Sequence, residues 1–147
     1  MRFALLAGTC VLALASARAA EPADAGAATA DLYARISARD LAGLTRYLPA
    51  DGFTELGTGP ATPHRLDAVA FAALFGSGVQ LALRATDLRV QALGDAAVVT
   101  GVRIGAITPP GAQAVEMAAP FTMVWTQAHG QWQLRHVHLS TPAPVSH

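Results

Sequence analysis

The sequence has no lysine, a single cysteine and no run of basic residues, and each shortage closes a class of function. All ten positive side chains are arginine, so no ε-amine is available for Schiff-base chemistry. The lone cysteine, Cys10, lies in an N-terminal apolar stretch, which leaves the rest of the chain without a disulfide or a reactive thiol. Ten acids balance the ten arginines. With no basic stripe to neutralise phosphates, nucleic acid is excluded as a partner on this reading.

What is present begins with a leader. Met1-Arg2 supplies a short positive start, Phe3 opens an apolar run, and Ala17-Arg18-Ala19 offers a cleavage site of the A-x-A type. This is the layout of a secretory signal peptide, and the run is too short for a membrane span. Cleavage is expected after Ala19, with Ala17 as the alternative, giving a periplasmic or secreted protein free of the membrane. Cys10 has Leu12 and Leu14 still to follow, which does not suit lipid attachment. Loss of Arg2 and Arg18 leaves eight arginines against ten acids, a net charge of −2 with histidine neutral. The remainder has ordinary single-domain length, roughly 100–150 residues, and an apolar core alone must hold it.

Residues 20–30 are Ala-rich and read as a flexible lead-in, residues 31–140 as the domain, and residues 141–147 as a disordered tail. Leu32, Tyr33, Ile36 and Leu41 recur near helical spacing from Asp31. Asp40 is placed to cap a second short helix with Leu41, Leu44 and Leu48, closed by Pro49. A short strand is expected over 53–56, a loop over 57–63, and a third helix over 65–75 ended by Gly76-Ser77-Gly78. Four long strands follow, over 79–93, 96–107, 114–127 and 131–140. Turns at Gly94-Asp95, Pro109-Pro110-Gly111 and His129-Gly130 join them into an antiparallel meander. Helices at the front and strands at the back make an α+β fold, with three N-terminal helices on one face of the sheet.

The segment Thr122-Met123-Val124-Trp125, then four residues, then Gly130-Gln131-Trp132 and His136-Val137-His138-Leu139-Ser140 resembles the last hairpin of SnoaL-like, nuclear transport factor 2-like domains. It is particularly similar to the association domain of calcium/calmodulin-dependent protein kinase II. Leu66-Asp67 with Phe71, and Gly94-Asp95 before the strand holding Arg103, resemble further parts of that pattern. The resemblance implies a cone: three helices closing a curved antiparallel sheet over an apolar pocket. It also implies self-association, as a homodimer through the sheet or as a higher ring.

Arg103 is the leading candidate for ligand contact. Val99, Gly101, Arg103 and Gly105 share one face of a strand, and the flanking glycines would leave room around a guanidinium whose planar fork suits a carboxylate. The resemblance implies the same role, since the matching arginine lines the family's pocket. The structural alternative is an ion pair with Glu55, Glu116 or a terminus. A second arginine of the association-domain pattern is Met123 here, which makes the expected cavity more apolar. Tyr33 and Trp125 complete the expected ligand-binding set, around a small apolar or carboxylate-bearing molecule.

An isomerase or lyase is the alternative function, because ketosteroid isomerases use this fold with a pocket carboxylate as base. Matching that pattern puts Leu32 at the tyrosine position with Tyr33 beside it, and Leu56 at the base position with Glu55 beside it. One residue turns a helix by about 100° and reverses a strand side chain, so the pairing depends on register. His136 and His138 are further acid–base candidates, two apart and expected on one face with Trp132 and Leu134. Two imidazoles make an incomplete metal site, so no metal and no organic cofactor are expected. Arg84 and Arg89 fall on opposite faces of one strand, so at most one can face the pocket. A purely structural assembly module is the third reading.

Overall fold

The computed structural model describes residues 24–57 and 62–141. The leader with its cleavage at Ala19, and the tail beyond Thr141, lie outside the described residues. The first helix, α1 (Ala25–Ala38), starts well before Asp31 and takes in residues 25–30, which the composition assigns to a lead-in. The Asp24 carboxylate accepts the Ala27 N–H at 2.8 Å and fixes the start. Ala25, Gly26 and Ala28 are buried. They bring the helix so close to the sheet that a Cβ on Gly26 would meet a Val90 methyl at 2.9 Å. Small buried residues of this kind carry almost no signal of apolar periodicity, which is why the pattern misses this turn.

Helix α2 (Leu41–Thr45) is capped by Asp40, whose carboxylate accepts the Gly43 N–H at 2.9 Å, as expected. Strand β1 (Phe53–Leu56) pairs with β2 (His64–Leu66), setting Phe53 against Leu66 and Glu55 against His64. Helix α3 (Ala68–Gly76) therefore begins after an Asp67 cap instead of at Arg65, and Phe71 and Phe75 are its buried residues. Residues 64–66 are too few for an alternating pattern to declare a strand.

The meander is present as β3 (Gln80–Leu93), β4 (Ala96–Thr108), β5 (Val115–Ala128) and β6 (Gln131–Leu139). The described strands form one curved, unclosed sheet of order β2-β1-β6-β5-β4-β3. All neighbours are antiparallel except β1 and β6. Leu32 and Ile36 of α1 and Phe71 and Phe75 of α3 join one core with Val99, Phe121, Met123, Trp125 and Leu134 of the sheet. Ser37 fastens α1 to β3: its hydroxyl donates to the Leu83 carbonyl at 2.7 Å and accepts the Leu83 N–H at 2.8 Å. Two irregularities bend the sheet. One lies between Thr86 and Arg89 of β3, with Asp87 left-handed at φ 55°, and one lies where Val124 and Trp125 of β5 meet β6.

Candidate functional site

Between the helices and the concave face of the sheet lies a cavity of about 260 Å³. Leu32 and Ile36 of α1 and Phe71 and Leu74 of α3 wall it on one side. Leu81, Leu83, Ile107, Met123, Leu134 and Val137 wall it from the sheet. Of its sixteen lining residues only Tyr33, Glu55 and Arg103 carry polar side chains. Strand alternation explains their meeting. Phe53 and Glu55 of β1 face inward together while Leu56 does not line the cavity. The helix turns both Leu32 and Tyr33 toward it. Of the positions weighed in the isomerase pattern, Glu55 and not Leu56 faces the cavity, and Tyr33 lines it together with Leu32.

The electrostatics follow from this enclosure. Arg103 stands on β4 opposite Ala119 of β5, and its Nε is buried with no hydrogen-bond partner. Among the described residues no carboxylate comes within 4.0 Å of its guanidinium. The ion pairs considered for it, with Glu55 and Glu116, are therefore not formed. Burial pushes the Glu55 carboxyl up, against the pull of Arg103 and, more weakly, of His64 across the β1–β2 pair. Burial also pushes the Tyr33 hydroxyl far up; Arg103 opposes this and Glu55 adds to it. Tyr33 is thus a neutral O–H donor at any physiological pH. Chemically, the site offers one fixed cation, one carboxyl of adjustable charge and one phenol inside apolar walls.

Other expectations are corrected. Trp125 is fully buried but does not line the cavity; it packs edge-to-face on Tyr47 with ring centroids 5.8 Å apart. His136 and His138 do not share a face with Leu134. In β6, Leu134 pairs with Trp125 but His136 pairs with Val124, so Arg135 is the extra residue of a bulge that reverses the side-chain alternation. Both histidines consequently lie on the face opposite the cavity, where neither can serve it as acid or base. Arg84 and Arg89 are both exposed and outside the cavity wall. Gly101 and Gly105 do not make room for the guanidinium. A Cβ on Gly101 would meet Leu88 and Phe121, each at 2.9 Å, and one on Gly105 would strike the Ala82 carbonyl. Among the described residues no three His, Cys, Asp or Glu side chains gather as metal ligands would. His64 is the residue the sequence reading passed over. Its only signal is the pairing with Glu55, which the short β2 hides.

The pattern that defines the SnoaL-like domain matches residues 26–144. No curated protein matches the chain. Several solved structures do, at identities that speak to the fold. A nuclear transport factor 2-like protein of unknown function in nutrient uptake from Rhodospirillum rubrum is 25% identical, with a TM-score of 0.62, over 75% of this chain and 91% of that one. A nuclear transport factor 2-like superfamily protein from Salmonella enterica is 18% identical with a TM-score of 0.64, over 80% and 87% of the two chains. The association domain of calcium/calmodulin-dependent protein kinase II from C. elegans is 24% identical with a TM-score of 0.56, over 78% and 90%.

Proposed function

Since the chain belongs to the SnoaL-like domain family, we propose that its cavity binds one small, mostly apolar molecule carrying a carboxylate, held at Arg103. The observation that carries this reading is a guanidinium that hydrogen-bonds Tyr33 but meets no described carboxylate, its buried Nε without a partner, in an otherwise apolar cavity. A half-buried cation with no anion beside it is costly, and a ligand carboxylate can accept from its planar fork. Size agrees. A dry cavity of roughly 150 Å³ holds a benzene ring, so about 260 Å³ has space for a ring or short chain with its head group.

A thermal-shift panel of hexanoate, benzoate, phenylacetate and neutral steroids, each acid beside its amide, tests the reading. Carboxylates are expected to raise the melting temperature and their amides not to. Arg103→Ala should weaken binding on the order of a hundredfold or more, the scale for removing one partner of a buried, hydrogen-bonded charge pair. No response to any carboxylate would end this proposal.

A second reading rests on the inward-facing Glu55 beside Tyr33: a general base that removes a proton next to a ligand carbonyl, with the phenol as donor. In the same panel it requires the steroids to outperform the acids, and the response to be lost in Glu55→Gln instead of Arg103→Ala. A cavity lined by an arginine that no described carboxylate meets speaks against a purely structural module.

We further propose that the mature protein begins at Ala20, is exported to the periplasm or beyond, and is a homodimer. The apolar and threonine-rich sheet face opposite the cavity, with Val98, Thr100, Val102, Thr122 and Val124 in register, supports the pairing of two copies. Intact mass and light scattering on protein recovered from its native envelope test both statements. A chain retaining residues 1–19, or a monomer, overturns the corresponding one.

A further inference from the structure

Arg103 and Glu55 line one apolar enclosure, and neither has an ion-pair partner within 4.0 Å among the described residues. One guanidinium can compensate one carboxylate. With Glu55 ionised, the empty site is already neutral. An anionic ligand docked on Arg103 would then add a second carboxylate to a small cavity with largely apolar walls. Two carboxylates sharing such a space cannot both stay charged without a large mutual penalty. The cheapest relief is one proton.

Resting on the ligand class proposed above, we infer that the site takes up a carboxylate and a proton together: the ligand's carboxylate occupies Arg103, and Glu55 becomes the neutral acid of the complex. The surroundings suit this exchange. The groups that act on Glu55 are Tyr33 from α1, Arg103 from β4 and His64 from β2. Helix α3 presents Phe71 and Leu74, and β6 presents Leu134 and Val137, all without charge. Burial already pushes the Glu55 carboxyl of the empty site up from its ordinary value, the same direction in which a second carboxylate would push it. Protonated Glu55 also becomes an O–H donor toward the bound head group. The ligand class that follows is monocarboxylic acids; a dicarboxylate would carry a charge the site has no second guanidinium to meet.

The sign of the linkage is definite. If the complex binds a proton that the free partners lack, affinity falls as pH rises through the window between Glu55's free and bound pKa values. The fall is at most about tenfold per pH unit for one proton.

Titration calorimetry of hexanoate, benzoate and phenylacetate into the purified protein tests the inference. It is run near neutral pH in two buffers of different ionisation enthalpy. Uptake approaching one proton per bound acid is expected, with Glu55→Gln binding without proton uptake and without the pH slope. His64→Asn should leave the uptake in place, which assigns the proton to Glu55 and not to its partner across the β1–β2 pair. Binding with no proton uptake by the unmodified protein overturns the inference and leaves the ligand reading standing, and this arm needs no variant to fold. Uptake that persists in Glu55→Gln, or disappears in His64→Asn, also overturns it. No binding by any of the three acids removes the ligand reading itself, and the proton coupling with it.

Discussion

Gly105→Ala is expected to destabilise the protein by about 3 kcal/mol or more, lowering the melting temperature by roughly 10 °C or beyond. Two costs add at this position. Its φ of 132° lies where side-chain-bearing residues are strained, a penalty of about 1–3 kcal/mol. In addition, the new methyl would point straight at the Ala82 carbonyl of the neighbouring strand. That neighbour is backbone in the β3–β4 ladder, where Leu83 is the register partner of Gly105, so it cannot swing aside as a side chain could. Gly94→Ala is the control. Its φ of 67° is also positive, yet nothing lies within 4 Å of its would-be Cβ, so it should cost only about 1 kcal/mol. Urea unfolding of the two variants separates strain from collision. Equal losses would mean that the close approach of β3 at Gly105 contributes nothing.

Position 105 also shows what a sequence can and cannot disclose here. The alternation that put Val99, Gly101, Arg103 and Gly105 on one face was readable, and the purpose of the glycines was not. Glycine next to arginine suggests room for a ligand, whereas both glycines answer to a tight approach of β3, through the Ala82 carbonyl at Gly105 and the Thr86 carbonyl at Gly101, where Leu88 and Phe121 also close in. The meander was legible because its strands are long and its turns carry Gly-Asp and Pro-Pro-Gly. The helix start was not, because Ala25, Gly26 and Ala28 bury little apolar surface each. His136 and His138 illustrate the harder limit. Period-two reasoning is sound until one extra residue, Arg135, enters the strand, and nothing local in Gln133-Leu134-Arg135-His136 announces it. Tyr33 and Glu55 were each one position from their expected places, and only the assembled register shows that both face the cavity with Arg103.

Trp125→Ala is expected to cost about 3–5 kcal/mol, the range for emptying a buried indole site, while Trp125→Phe should cost only about 1 kcal/mol. The second figure is small because two effects oppose each other. Phenylalanine leaves part of the indole volume unfilled, but it also removes an N–H that is buried with no partner, a group whose burial costs roughly 1–3 kcal/mol. What Trp125 supports is a corner of the scaffold. It packs edge-to-face on Tyr47, whose hydroxyl donates to Asp31 of α1 at 2.6 Å and whose carbonyl accepts the Leu134 N–H at 2.8 Å. Burial works to raise the Asp31 carboxyl, yet the hydrogen bonds from Tyr47 and from Arg35 outweigh it and hold that group below the ordinary range. Arg35 in turn donates to Asp40, the cap of α2, at 2.6 Å. This chain of contacts sets the position of α1, and with it Tyr33 at the cavity. Trp125 therefore acts on the site through the helix and not by touching a ligand. Trp125→Phe, folded and slightly less stable, should keep its thermal response to carboxylates, where Arg103→Ala loses it. A Trp125→Phe protein that melts cooperatively but no longer responds would move the indole into the binding site and redraw the cavity around it.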